Sequence, residues 1–156
     1  MADETTDQSD ILIEGSTATW EMNLDGSVLG THRGRFKFKC YLTPTEIIAA
    51  GRSYRELLGT NPALASEHES FLAYALTQLK YRIIEAPPFW ATSKDGIQGD
   101  LPDTEIVSAV LDAAISAELK FKGQLAKRKK DALDKAIKEA EKLSEGKEEV
   151  TSESED

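Results

Sequence analysis

"RFKFKCYLTPTE", Arg35 to Glu46, changes its period in the middle, and that change decides the fold. Its first half alternates: Phe36, Phe38, Cys40 and Leu42 fall on one side of an extended chain, Arg35, Lys37, Lys39 and Tyr41 on the other. The second half is a helix start. Thr43 can cap, Pro44 suits the first helical position, and Glu46 three residues after Thr43 completes a reciprocal capping box. A strand therefore hands over directly to a helix, and both kinds of element must share one core.

Upstream, Ala18, Trp20, Met22 and Leu24 alternate with Thr19, Glu21 and Asn23, and Asp25-Gly26 follows as a turn pair. Ser16 to Leu42 thus reads as a small antiparallel unit of two or three strands with one apolar face. Such a unit needs that face covered by helices or by a partner.

Downstream, helix one runs from the Thr43 cap to about Leu58 and stops at Gly59. It offers Ile47, Ile48, Gly51, Tyr54, Leu57 and Leu58 for packing. Helix two begins at Asn61-Pro62 or at Ser66, which has Glu69 three residues on. Phe71, Leu72, Ala75, Leu76, Leu79 and Ile83 then recur at helical spacing. The run ends at Pro87-Pro88, since neither proline can continue a helix. Residues 91–102 read as a polar loop. Asp103 can cap helix three, whose apolar positions Ile106, Val107, Val110, Leu111, Ala114 and Phe121 lead to a stop near Gly123. From 124 to 144 the chain is rich in helix formers but has only a thin apolar line, Leu133, Ile137, Ala140 and Leu143, which suits a solvated extension or a helix awaiting a partner.

The fold expected is α+β: a small N-terminal antiparallel β unit packed on a three-helix body, with a charged C-terminal helical extension. The net charge of −9 sits mainly at the ends. Residues 1–14 hold Asp3, Glu4, Asp7, Asp10 and Glu14 without a Lys or Arg, and 145–156 hold six acids against Lys147. Both stretches read as disordered acidic tails around a nearly neutral 15–144, made of a globular domain, 15–123, and the helical extension, 124–144. This balance argues against nucleic acid or an anionic membrane as partner. No apolar run approaches the length of a membrane span, and no leader pattern opens the chain, so a soluble intracellular protein is expected.

Signals for chemistry are sparse. Cys40 is the single cysteine, which leaves no internal disulfide and no cysteine-based zinc set. His32 with Cys40 can be written as base and nucleophile, but a Cys on the apolar side of a strand reads first as a small core residue. His68, between Glu67 and Glu69, reads as a surface residue. There is no phosphate-binding glycine loop, and "DGIQGD" lacks the ligand alternation of a calcium site. "RGRFKFK" interleaves basic and aromatic residues, yet places them on opposite faces of a strand, whereas a stacking platform needs them side by side. "KRKK", Lys127 to Lys130, is followed by Asp131 and Asp134 and reads as a solvated helix face. No cofactor, metal or catalytic residue is expected.

"EAPPFW", Glu85 to Trp90, holds two large aromatics behind a stiff exit from helix two. Phe89 and Trp90 either close the core or dock a partner, as large aromatics do in protein interfaces. Together with Phe36 and Phe38 they are the candidate protein-binding residues.

A strand-rich N-terminus leading into "LTPTE", the helix end "YRELLG", the segment "NPALASEHESFLAYALTQLKYRIIEAPPFW", then a D-x-x-I-V-x-x-V helix from Asp103 and a charged tail, together resemble the small tail assembly chaperones of tailed bacteriophages. The resemblance spans about 17–122 and is strongest in Leu79 to Trp90, "LKYRIIEAPPFW". It implies a non-enzymatic protein of the infected host's cytoplasm that binds the long helical tape measure protein and helps recruit tail tube protein; self-association is a further option for partners. Some members are extended by ribosomal frameshifting near the C-terminus. The pronounced strand unit departs from the most helical members and leaves a second expectation, a structural component of the virion at a head or tail joint.

Overall fold

The computed structural model describes residues 10–90 and 101–152, with side chains in the last helix as far as Lys147. The chain is α+β. Four strands, β1 (Ile11–Glu14), β2 (Thr17–Asp25), β3 (Thr31–Lys39) and β4 (Ile83–Glu85), form one antiparallel sheet in the order β1-β2-β3-β4. Three α-helices accompany it: α1 (Pro44–Leu58), α2 (Glu67–Arg82) and α3 (Thr104–Ser152). The helices α1 and α2 lie in the chain between β3 and β4. The chain divides into two compact units between Phe121 and Lys122, a boundary that falls inside α3.

The alternation in β2 and β3 has the expected effect. Their register pairs Ala18 with Phe38, Trp20 with Phe36 and Met22 with Gly34, so one face of the sheet carries the apolar residues. Ala18, Trp20, Met22, Phe36, Phe38 and Cys40 are all buried. The other face is wet: Arg35 Nε donates to the Glu21 carboxylate at 2.6 Å, and Arg33 Nε to the Asn23 amide Oδ1 at 2.9 Å. Basic and aromatic residues of "RGRFKFK" thus lie on opposite faces.

Two strands were not legible as such. Ile11–Glu14, assigned to an acidic tail, pairs with β2, and Ile11 is buried. Ile83–Glu85, read as the end of helix two, instead turns extended at Ile83 and adds to β3 through a register shift beside Lys37 and Phe38. The expected unit of two or three strands is therefore one of four.

Both capping boxes form. The Thr43 hydroxyl accepts from the Glu46 N–H while the Glu46 carboxylate accepts from the Thr43 N–H, and Ser66 and Glu69 do the same at α2. Of the two starts considered for helix two, Ser66 is the real one, and Pro62–Leu64 is a separate 3-10 turn. Gly123 does not end helix three, and helix continues through the acidic stretch from Glu145 to Ser152. One glycine costs a helix about 1 kcal/mol, too little to stop a run flanked by Leu, Lys, Gln and Ala. The remaining tail residues, 1–9 and 153–156, and the loop 91–100 lie outside the described residues.

The core joins the sheet's apolar face to Ala75 and Leu79 of α2 and to Ile106, Val107, Val110, Leu111, Ala113, Ala114 and Ala117 of α3. Small residues on α3 let the helix approach closely. Helix α1 contributes little: Ala50 and Ser53 are its buried residues, and neither belongs to the main cluster. Arg82, buried near the end of α2, ties that helix to α3 by donating from Nη1 to Glu118 Oε2 at 2.6 Å.

Candidate docking surface

The four aromatics proposed from sequence are brought together, but inside the protein. Phe36 and Phe38 are fully buried and stack at a centroid distance of 5.8 Å, with Trp20 beside both. Trp90 is 7% exposed and meets Phe36 edge to face at 5.5 Å, and Phe89 packs on Phe36 at 6.1 Å from a half-buried position. Edge-to-face and offset contacts of this kind are the arrangements that the ring quadrupoles favour. Phe36, Phe38 and Trp90 are therefore core residues and not a docking surface, which corrects that expectation. "EAPPFW" closes the fold.

The double proline has a specific role in that closure. A side chain at Gly34 would place Cβ 2.3 Å from Pro87 Cβ, so the buried Pro87 sits directly on the backbone of β3. The turn that follows is closed by the Trp90 N–H donating to Pro87 O at 2.9 Å, which carries the indole back over Phe36.

A second arrangement was hidden in the sequence. Asp103, fully buried, accepts from His32 Nε2 at 2.8 Å, from the Val28 N–H at 2.6 Å and from the Leu29 N–H at 3.0 Å. Its neighbour Glu105 accepts from the Ser27 N–H. The two carboxylates thus hold the β2–β3 turn by its backbone, and Gly26 makes room, since a Cβ there would lie 2.5 Å from Asp103 Cγ. Asp103 was expected to cap its own helix, but its side chain instead fastens a turn far away in sequence. Burial works to raise the Asp103 carboxyl, and the hydrogen bonds from His32, Val28 and Leu29 outweigh it, so the group lies below its ordinary range. Glu105 is lowered mainly by its bond from the Ser27 side chain.

His32 is thus engaged with Asp103 and packed on Phe89 at a ring distance of 4.9 Å. Cys40 lies eight residues further along the chain, about 26 Å at 3.3 Å per strand residue, so the two do not form a base and nucleophile pair. Burial, aided by the charge of Glu118, pushes the Cys40 thiol up, away from the reactive thiolate. Among the described residues, no group of three or more His, Cys, Asp and Glu side chains could hold a metal ion, and no helix is long and apolar enough to cross a membrane. His68 is exposed, as expected.

Apolar surface is found instead on the α1–α2 pair. A groove of about 410 Å³ is lined by Leu57 and Leu58 at the end of α1, Leu64 in the 3-10 turn, and Leu72, Ala73 and Leu76 of α2, with Asn61 and Glu69 as its polar lining. Leu64 is 81% exposed. Further along α1, Ile47 and Ile48 are also exposed, and Phe71 and Tyr74 are exposed on α2. Two helices that start on good caps thus place much of their apolar surface outside the core. The leucines were visible in sequence as helical packing positions. What sequence could not tell is that Leu57 and Leu64 stay exposed while Leu72 is half-buried and Leu76 packs partly on the core, because that depends on where the helix pair lies against the sheet. Comparison of the chain with protein-family models, with curated proteins and with solved structures finds no significant match.

Proposed function

We propose that this chain is a non-enzymatic tail assembly chaperone of a tailed bacteriophage, acting in the host cytoplasm. In this reading the groove at Leu57, Leu64, Leu72 and Leu76 receives an amphipathic helix of the tape measure protein, and the same helix pair helps recruit tail tube subunits. The observation that carries it is the apolar groove between α1 and α2, lined by Leu57, Leu64, Leu72 and Leu76, the kind of surface that receives the apolar face of an amphipathic helix. The resemblance of Leu79 to Trp90 and its flanks to that family supplies the identity of the partner. Corrected for burial, the docking residues are the groove leucines, and Phe89 and Trp90 support them only by holding the fold.

Co-expression of the chain with the tape measure and tube proteins of the same phage tests the proposal. Retention of the tape measure protein on the tagged chain is expected, with loss of retention in Leu64→Asp/Leu72→Asp while the far-ultraviolet circular dichroism is unchanged. Tape measure and tube proteins that both fail to bind would overturn it. Mass spectrometry of purified particles separates the chaperone from a virion component, since a chaperone is absent from the finished particle.

A further inference from the structure

The part of α3 after Phe121 carries an apolar stripe that nothing in the described chain covers. Leu125 is 36% exposed, Leu133 61%, Ile137 47% and Leu143 71%. At 100° per residue, Leu125, Ala126, Ala132, Leu133, Ala136, Ile137, Ala140 and Leu143 fall within an arc of about 140°, and Lys129 is the one charge among them. Within this stripe, Ala126, Lys129, Leu133, Ala136, Ala140 and Leu143 follow the 3-4 spacing of a coiled-coil seam, with Leu125, Ala132 and Ile137 flanking it. The apolar side chains of this stripe gain burial only if something covers them.

Charge selects it. Between 127 and 138 six basic residues stand against Asp131 and Asp134, and between 139 and 149 five glutamates stand against Lys142 and Lys147. Like-signed stretches stack if two copies run parallel, Lys127 to Lys130 upon Lys127 to Lys130. Run antiparallel with Ala126 opposite Leu143, Arg128 and Lys130 come opposite Glu141 and Glu139, and Asp131 and Asp134 come opposite Lys138 and Lys135. Shape agrees. The antiparallel register that sets Ala126 opposite Leu143 also sets Leu133 opposite Ala136, a large residue against a small one each time. It places Lys129 opposite Ala140, with Glu139 and Glu141 on either side of that alanine.

We propose that the helical arm from Lys122 to Lys147 pairs antiparallel with the same arm of a second copy, through the stripe that includes Leu125, Leu133, Ile137 and Leu143. The seam is short, about 28 Å for nineteen residues at 1.5 Å per residue, so the dimer is reversible and concentration-dependent. Opposite charges at its flanks make it weaker at high salt. The proposal is independent of the tail assembly reading.

Sedimentation equilibrium of the full chain is expected to show a monomer–dimer equilibrium that weakens as salt rises. Leu133→Glu/Ile137→Glu should weaken it at least about tenfold, since each buried branched residue is worth at least 1.4 kcal/mol, a factor of ten. Both sites lie outside the core, so tryptophan fluorescence from Trp20 and Trp90 should be unchanged. Orientation is read by cysteine cross-linking, with the buried Cys40 out of reach. When chains carrying Ala126→Cys and chains carrying Leu143→Cys are mixed and oxidised, the mixed disulfide should outnumber both homodisulfides. A chain monomeric at every concentration, a dimer indifferent to Leu133→Glu/Ile137→Glu, or a predominance of homodisulfides would each overturn the proposal.

Discussion

The two parts of α3 form one continuous helix but are held by different forces. From Thr104 to Phe121 the helix buries Ile106, Val107, Val110, Leu111, Ala113, Ala114 and Ala117, and its first residues are tied to the β2–β3 turn by Asp103 and Glu105. From Lys122 to Lys147 every residue but Gln124 is exposed, and the helix rests on propensity. Continuous secondary structure is therefore not continuous stability. In the first part tertiary burial fixes the helix, and in the second a helix is available to fray or to pair.

Three measurements press on that difference. Val110, fully buried, and Leu133, exposed, sit on the same helix, and the same substitution should separate them most. Val110→Asp should cost more than about 4 kcal/mol, enough to unfold most of the chain, because it buries an unpaired charge. Leu133→Asp should cost the monomer less than about 0.5 kcal/mol in urea unfolding. Equal effects would mean that both parts share one core.

A smaller effect is expected where the core part meets α2. Arg82→Ala removes the donor to Glu118 Oε2 from a mostly buried pair and should cost about 1.5–3 kcal/mol, as hydrogen bonds to charged groups do. A change in urea midpoint with unchanged slope would place the loss in stability alone.

The smallest effect is the acid response of the helix start. Asp103 lies below its ordinary value of 3.8 in the folded chain, so its contribution is present above that pH and is lost as pH falls through the lowered value. Glu105, also lowered, acts in the same direction from 4.5. Asp103→Asn should reduce stability near neutral pH and flatten the profile below about pH 4, measured by thermal melts across the acid range. A variant with the slope of the parent would show that Asp103 does not contribute to the acid response.

The reading from sequence went furthest where structure is local. The alternation of Trp20 and Met22, the matching alternation of Phe36 and Phe38, and the boxes at Thr43 and Ser66 each depend on neighbours within a few residues. It failed where partners are remote. Ile11–Glu14 is a strand because Lys120 Nζ donates to Ile11 O and β2 offers its edge, and neither fact is written in "ILIE". Ile83 to Glu85 leaves the helical pattern because β3 has a free edge there. The candidate surface divides along the same line. Phe36, Phe38 and Trp90 were chosen as residue types common at interfaces, and the sheet's apolar face, which must be covered, claimed them. Of the groove leucines, which had the periodicity of core residues, Leu57 and Leu64 were left exposed.

The clamp at Asp103 also orders events in time. Val28 and Asp103 are 75 residues apart, and Ile11 and Lys120 are 109 apart. At about 5–20 residues per second, a ribosome takes some 4–15 s to pass from the first turn to the acid that holds it. During that interval the N-terminal hairpin has been made, but its turn lacks Asp103 and its apolar face lacks the residues of α3. The sheet's strands all precede α3, but its core cover, its turn and the Ile11 carbonyl are secured only once α3 has emerged.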